Sequence, residues 1–217
     1  MTIFMPMNYN YNVYLFERIK SKSFDWNEFV NVTSVGKPFQ QRKRALQYAE
    51  EHGLLKLGEG STRRVFVLTP KLALKVAMDD DGRSQNKKED VVYDKTHSPI
   101  ITKVFKNSDD YTWIVSELVR PVKSDQEFYD LTYCTIIDLY YTLYLALKTP
   151  KTIEHFADEM YIKNRITQLH HDMLQNDFVK DLIKLVKQTK IAVYDIDRIE
   201  QYGVTTDQRV VLLDFGI

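Results

Sequence analysis

The sequence has a single cysteine and no net charge, and these two features exclude several classes of protein. Cys134 is the only cysteine among 217 residues, so the chain cannot form an internal disulfide, which is typical of a reducing compartment. Lys and Arg together number 30, as do Asp and Glu, so no global field attracts nucleic acid or an anionic membrane. The hydrophobic share of 44% is ordinary for a globular protein and suffices for a buried core.

Secretion and membrane insertion also lack their usual sequence features. No basic stretch followed by an apolar stretch opens the chain, so we expect a cytoplasmic protein rather than an exported one. The most hydrophobic run, residues 131–147, contains Asp138 and is barely long enough to cross a bilayer. We expect this run to form a buried amphipathic helix, and we expect neither a membrane nor nucleic acid as a partner.

The periodicity of the apolar residues predicts a strand-rich front, a helical middle and a closing hairpin. Apolar runs bounded by turn residues indicate strands, whereas apolar positions spaced three and four apart indicate helices. The predicted elements are a helix over residues 38–53, a hairpin turning at 69–71, a helix over 84–97, two strands turning at 107–110, helices over 121–190, and strands and turns after residue 190.

Four chemically distinctive features follow one another along the chain. Gly58 and Gly60 precede a strand, where glycine lets the backbone approach a phosphate closely. Lys75 lies between apolar neighbours in the next strand, so its ammonium group needs an anionic partner or an escape to solvent. Glu89 lies on the helix that follows, and Asp214 ends an apolar strand, where a buried carboxylate requires a cation. Each feature alone has an ordinary structural explanation, but their order favours a common site.

This order resembles that of the protein-kinase-like superfamily. The glycine loop, the strand lysine, the helix glutamate, the strand "WIVSELV", a helical block and Asp-Phe-Gly follow one another over residues 54–217 as the kinase motifs do. The resemblance implies a bilobal α+β fold, with a small antiparallel-sheet lobe that contains one helix and a reduced helical lobe. It divides the chain into an N-terminal extension with one helix (1–53), an N-lobe (54–120) and a C-lobe (121–217).

The resemblance also implies a site for ATP and Mg²⁺. Lys75 matches the lysine that contacts the α and β phosphates, and Glu89 matches its glutamate partner. Asp214 matches the aspartate that binds magnesium. The residues that it implies for nucleotide binding are Gly58, Gly60, Val65, Lys75, Glu89, and the hinge residues Glu117 and Val119.

The sequence departs from the kinase pattern at several positions. Arg63 stands where the third loop glycine belongs, and it is a candidate to contact the phosphates or a neighbouring acid. The His-Arg-Asp triplet is absent, and strict spacing assigns the catalytic aspartate to Asp195, with Asp197 as a competing base. The same spacing assigns the second metal ligand to Glu200, whereas one inserted residue would assign it to Gln201. No activation segment of the kind found in protein kinases follows Asp-Phe-Gly, which resembles the minimal kinase-like proteins of bacteriophages and bacteria.

The combined pattern predicts an ATP- and Mg²⁺-dependent phosphotransferase whose acceptor is a serine or threonine hydroxyl of a protein. Its catalytic residues are expected to be Asp195, Lys75 and Asp214. The alternative is a pseudokinase, which keeps the fold as a binding module for a protein partner, with or without nucleotide. The altered glycine loop and the missing His-Arg pair favour the pseudokinase. The presence of charged residues at the four matching positions favours the enzyme; these residues are Lys75, Glu89, Asp195 and Asp214.

Overall fold

The computed structural model describes residues 24–147, 173–193 and 196–213. The chain divides into two compact units, Met1–Val91 with Lys103–Leu118, and Val92–Thr102 with Val119–Ile217. The helices are α1 (Trp26–Thr33), α2 (Pro38–Glu51), α3 (Asp80–Thr96), α4 (Asp125–Thr132), α5 (Ile136–Leu147) and α6 (Asp177–Thr189). The strands are β1 (Lys56–Glu59), β2 (Arg63–Thr69), β3 (Leu72–Ala77), β4 (Val104–Asn107), β5 (Trp113–Glu117), β6 (Val119–Pro121), β7 (Tyr202–Thr205) and β8 (Val210–Leu212).

The first unit is built on a five-stranded antiparallel sheet with the strand order β1-β2-β3-β5-β4. The predicted hairpin is confirmed, because β2 and β3 pair across the turn at Pro70 and Lys71. Lys75 lies opposite Val65 on β2 and opposite Ile114 on β5, so it is at the centre of the sheet. Its neighbours Leu74 and Val76 are fully buried in the core of this unit.

Two helices precede the sheet, of which the sequence pattern predicted only the second. The predicted helix from residue 38 is confirmed as α2, which begins at Pro38 and is followed by Gly53 with a φ of 61°. The missed helix, α1, is capped by Asp25, whose carboxylate accepts the N–H groups of Asn27 and Glu28. Its eight residues are too few for a clear period, which explains why the pattern did not reveal it.

Helix α3 begins earlier than the predicted residue 84. The Asp79 carboxylate accepts the N–H of Gly82 at 2.8 Å, which satisfies one of the free donors of the first turn and allows the helix to begin at Asp80. Glycine is a poor helix former, and the predicted helix over residues 84–97 did not include Gly82. A Cβ atom at Gly82 would lie 2.2 Å from the carbonyl oxygen of Thr62, so this position allows the loop before β2 to approach α3 closely.

The second unit contains helices α4, α5 and α6 and an antiparallel sheet of three strands in the order β6-β7-β8. The predicted closing hairpin is confirmed by the pairing of β7 with β8. The expectation of one helix over residues 131–147 was wrong. Tyr133 ends α4 in the left-handed conformation with a φ of 57°, and the Thr135 hydroxyl accepts the N–H of Asp138 to start α5. Within the described residues, no helix combines the length and the apolar character that crossing a membrane requires.

The single cysteine provides a test of the core of the second unit. Cys134 is fully buried, and this burial raises the pKa of its thiol to about 11, while a hydrogen bond with Thr132 offsets part of the effect. Because the thiolate is the reactive form, we expect a disulfide reagent to label Cys134 at least about 100-fold more slowly in native protein than in urea-unfolded protein at pH 8. Absorbance of the released thiol measures both rates, and equal rates would contradict the placement of Cys134 in the core.

Candidate functional site

The site in the first unit is organised around the buried side chain of Lys75. Side chains alternate between the two faces of a strand, so Lys75 lies on the face of β3 opposite to its core-forming neighbours. Its Nζ donates to Oε2 of Glu89 on α3 at 2.5 Å. The Glu89 side chain is only 6% exposed. The lysine–glutamate pair that the sequence predicts is therefore present in the structure.

A second cation, Arg63, meets the same carboxylate. Arg63 is the first residue of β2, and its Nη1 forms an ion pair with Oε1 of Glu89. The same nitrogen lies 3.5 Å from Oδ1 of Asn86, which is fully buried on α3. The sequence left Arg63 a choice between phosphate and a neighbouring acid, and the structure places it against the acid. Asn86 was missed by sequence reasoning, although its position three residues before Glu89 puts it on the same helix face.

The two cations determine the charge state of Glu89. Burial is the largest influence on this group and by itself would raise its pKa. Lys75 first, and then Arg63, more than offset the effect of burial through their charges and hydrogen bonds, so the pKa of Glu89 is below its ordinary value. Glu89 is therefore ionised at neutral pH and accepts from both cations at once.

The glycine loop between β1 and β2 is linked to α3 by a side-chain hydrogen bond and to the residue after β3 by a backbone hydrogen bond. The Thr62 hydroxyl donates to Oε1 of Gln85 on α3 at 3.0 Å, and the Thr62 carbonyl accepts the N–H of Met78 at 2.7 Å. A Cβ atom at Gly58 would meet no atom within 4 Å, and one at Gly60 would meet only the Arg63 carbonyl oxygen at 3.8 Å. Protein packing therefore requires no glycine at these two positions, in contrast to Gly82.

The predicted hinge residues lie where the chain passes from one unit to the other. Glu117 ends β5, and its backbone N–H donates to the carbonyl of Lys103 at 2.8 Å. Val119 begins β6 and lies opposite Thr205 on β7. Val65, the residue expected to lie above the base, is directly opposite Lys75 and shares its face of the sheet.

The predicted catalytic and metal residues are only partly within the described residues. Asp195 and Asp214 lie outside them. Glu200 is exposed on a short 3₁₀ helix, Ile199–Gln201, and the Gln201 side-chain oxygen accepts the N–H of Arg198 at 3.0 Å. Oδ1 of Asp197 lies 3.9 Å from Nε of Arg198. Across residues 24–147, 173–193 and 196–213, no group of three or more His, Cys, Asp or Glu side chains is arranged to hold a metal ion.

Comparisons with known proteins return solved structures only. No protein-family model and no curated protein matches the sequence. The ternary complex of streptomycin, ATP and APH(2″)-IIa is similar over 79% of this chain and 70% of that chain, with 14% identity and a TM-score of 0.36. The ADP-bound aminoglycoside phosphotransferase APH(2″)-Ib is similar over 78% of this chain and 68% of that chain, with 11% identity and a TM-score of 0.31.

The assignment of the fold rests on this structure itself. A five-stranded antiparallel sheet carries the lysine on β3, the following helix carries its glutamate partner, and a unit with three further helices completes the described chain. These features confirm the protein-kinase-like α+β fold that the sequence resemblance implies.

Proposed function

We propose that the protein is an ATP- and Mg²⁺-dependent phosphotransferase whose acceptor is a serine or threonine hydroxyl of a protein substrate. The observation that supports this proposal is the buried pair of Lys75 and Glu89 beside a glycine loop. A buried ion pair contributes little to stability compared with apolar residues of the same size, because both charges lose their hydration. If Lys75 binds phosphate, the presence of a buried ion pair that contributes little to stability is explained.

The residues assigned to nucleotide binding have different proposed roles. The backbone N–H groups of the loop at Gly58 and Gly60 are proposed to approach the phosphates, since no protein atom crowds these positions. Val65 is proposed to pack against the base, while Lys75 contacts the α and β phosphates with Glu89 holding it in place. The backbone groups of Glu117 and Val119 are proposed to bind adenine.

The metal ligands are proposed to be Asp214 and Glu200. Mg²⁺ prefers oxygen ligands, above all carboxylates, and Glu200 offers an exposed carboxylate. Gln201, the alternative, already uses its side-chain oxygen as a cap for the N–H of Arg198, so it fits less well. When bound, Mg²⁺ would neutralise charge on the β and γ phosphates.

The transfer step is assigned to Asp195. The acceptor hydroxyl oxygen forms a bond to the γ phosphorus, the bond between that phosphorus and the oxygen of the departing ADP breaks, and the hydroxyl proton passes to the Asp195 carboxylate. Lys75 holds the phosphates while the charge on the leaving oxygen grows.

A transfer assay with radiolabelled ATP tests this proposal, with the protein itself, a peptide pool and a small-molecule pool as acceptors. We expect Asp195→Asn to reduce transfer at least about 100-fold and to leave the ATP-induced rise in melting temperature nearly intact. Asp197→Asn is the matched control, since Asp197 already lies near Arg198, and it should change neither quantity. If Asp197→Asn is the inactive variant instead, the alignment of this loop is wrong by two residues.

A pseudokinase remains the second candidate, and the ion pair of Arg63 with Glu89 favours it. This pair places a large cation at the loop position where kinases have a third glycine. Wild-type protein that binds ATP, yet transfers no phosphate to any of the three acceptor classes, would favour this candidate over the enzyme.

A further inference from the structure

Two cationic side chains of the sheet meet on the two oxygens of one carboxylate. Lys75 Nζ contacts Oε2 of Glu89, and Arg63 Nη1 contacts Oε1. The two cationic groups are therefore separated by no more than a carboxylate and two hydrogen bonds. Like charges this close repel one another strongly where water is scarce, so an additional anion near both groups would be stabilised.

The Arg63 guanidinium also retains unused hydrogen-bond donors. A guanidinium has five N–H donors in a planar fork, and within the part of the chain that the structure describes only Nη1 is engaged, with Glu89 and Asn86. The side chain is 16% exposed, and neither Nη2 nor Nε is among the buried polar atoms that lack a hydrogen-bond partner in the described residues, so a ligand can reach these donors from solvent. A phosphate matches this fork with two parallel hydrogen bonds.

The position of Arg63 along β2 indicates which part of a nucleotide it meets. Val65, proposed to cover the base, lies opposite Lys75, and Arg63 precedes Val65 by two residues on the same face of the strand. Two residues of an extended strand span roughly 7 Å, and this step leads from Val65 toward the glycine loop. In a nucleotide whose base lies against Val65, the terminal phosphate would therefore lie closer to Arg63 than to Val65.

We propose that Arg63 determines the specificity of the site for nucleoside triphosphates. Its free donors bind the terminal phosphate, while Lys75 binds the phosphates nearer the sugar. This inference rests on the proposed function, because it requires a nucleotide in the site. It adds a preference for the triphosphate over the diphosphate that the glycine normally found at this loop position cannot provide.

Calorimetric titration of the 217-residue chain with ATP, ADP and AMP tests this inference, once with Mg²⁺ and once with EDTA. We expect wild type to bind ATP about tenfold more tightly than ADP, as one charge-assisted contact allows, and Arg63→Gln to bind the two about equally. Arg64→Gln is the matched control, since the neighbouring Arg64 pairs with the exposed Glu59 and should keep the tenfold ratio. An unchanged ratio in Arg63→Gln overturns the inference and leaves the proposed function intact.

A double-mutant cycle separates direct contact with phosphate from an effect transmitted through Glu89. If Arg63 binds phosphate itself, adding Arg63→Gln to Glu89→Gln still removes the preference for ATP, whereas no further change would overturn the inference. If either glutamine variant fails to fold, Arg63→Lys replaces it. Lysine keeps the positive charge but lacks the planar guanidinium fork, so this variant should lose part of the preference for ATP. A fully retained ratio of ATP to ADP affinity would overturn the inference. If wild type binds no ATP even with Mg²⁺, the proposed function fails, and this inference fails with it.

Discussion

Replacing Glu89 by alanine is expected to destabilise the protein by about 3 kcal/mol, because it removes a carboxylate that two buried cations share. Lys75 and Arg63 would each lose an anion that they contact inside the protein, and weakening the pairing of a buried charge is costly. Equilibrium unfolding in urea at pH 7 measures the loss. Glu59→Ala is the control, since Glu59 pairs with Lys56 and Arg64 at the surface, where ion pairs contribute little.

The pH dependence of this loss provides a second check with a defined sign. The pKa of Glu89 is lower in the folded protein than its ordinary value, so its contribution is complete above the unfolded-state pKa of about 4.3. It is lost as the pH falls through the folded-state pKa. The stability difference between wild type and Glu89→Ala should therefore be constant from neutral pH down to about 5.5 and should shrink below about 4. A difference that grows on acidification would contradict the assigned ion pairs.

Replacing Lys75 by methionine is expected to abolish the stabilisation of the protein by ATP. A ligand present at 100 times its dissociation constant stabilises the folded state by about 2.7 kcal/mol, which for a domain of this size corresponds to roughly 5–10 °C in melting temperature. Methionine has a similar length but no charge, so the phosphates lose a charge-assisted hydrogen bond in a poorly hydrated site. A thermal melt with and without ATP and Mg²⁺ measures this shift.

The fold of the Lys75→Met variant should survive, because Arg63 still pairs with Glu89. Lys71→Met is the matched control, since Lys71 is exposed in the turn between β2 and β3, and it should keep the full ATP-induced shift. An equal shift in Lys75→Met and wild type would place nucleotide binding away from Lys75. Asp214→Ala should also remove the shift if Asp214 holds the metal ion.

The sequence by itself determined the hairpin of β2 and β3 and the face of β3 on which Lys75 lies. Strand side chains alternate with a period of two, so a lysine between Leu74 and Val76 must face away from the core that these two residues build. Turn residues at 69–71 then defined the hairpin, whereas the pairing of Lys75 with Glu89 on the next helix followed from the resemblance to kinases. The hairpin and the face of Lys75 needed only neighbouring residues, because local periodicity decides which face a side chain occupies.

Tertiary structure alone decided where Arg63 binds and where several helices begin and end. Arg63 and Glu89 are 26 positions apart, so their contact depends on how closely the loop before β2 approaches α3. Gly82 permits this approach, because a Cβ atom there would clash with the Thr62 carbonyl oxygen. The run over residues 131–147 has the same apolar period whether it forms one helix or two. The left-handed Tyr133 and the Thr135 cap divide it, since a helix ends where alternative hydrogen bonds and packing outweigh the continued ladder, and that balance includes contacts that no local pattern specifies.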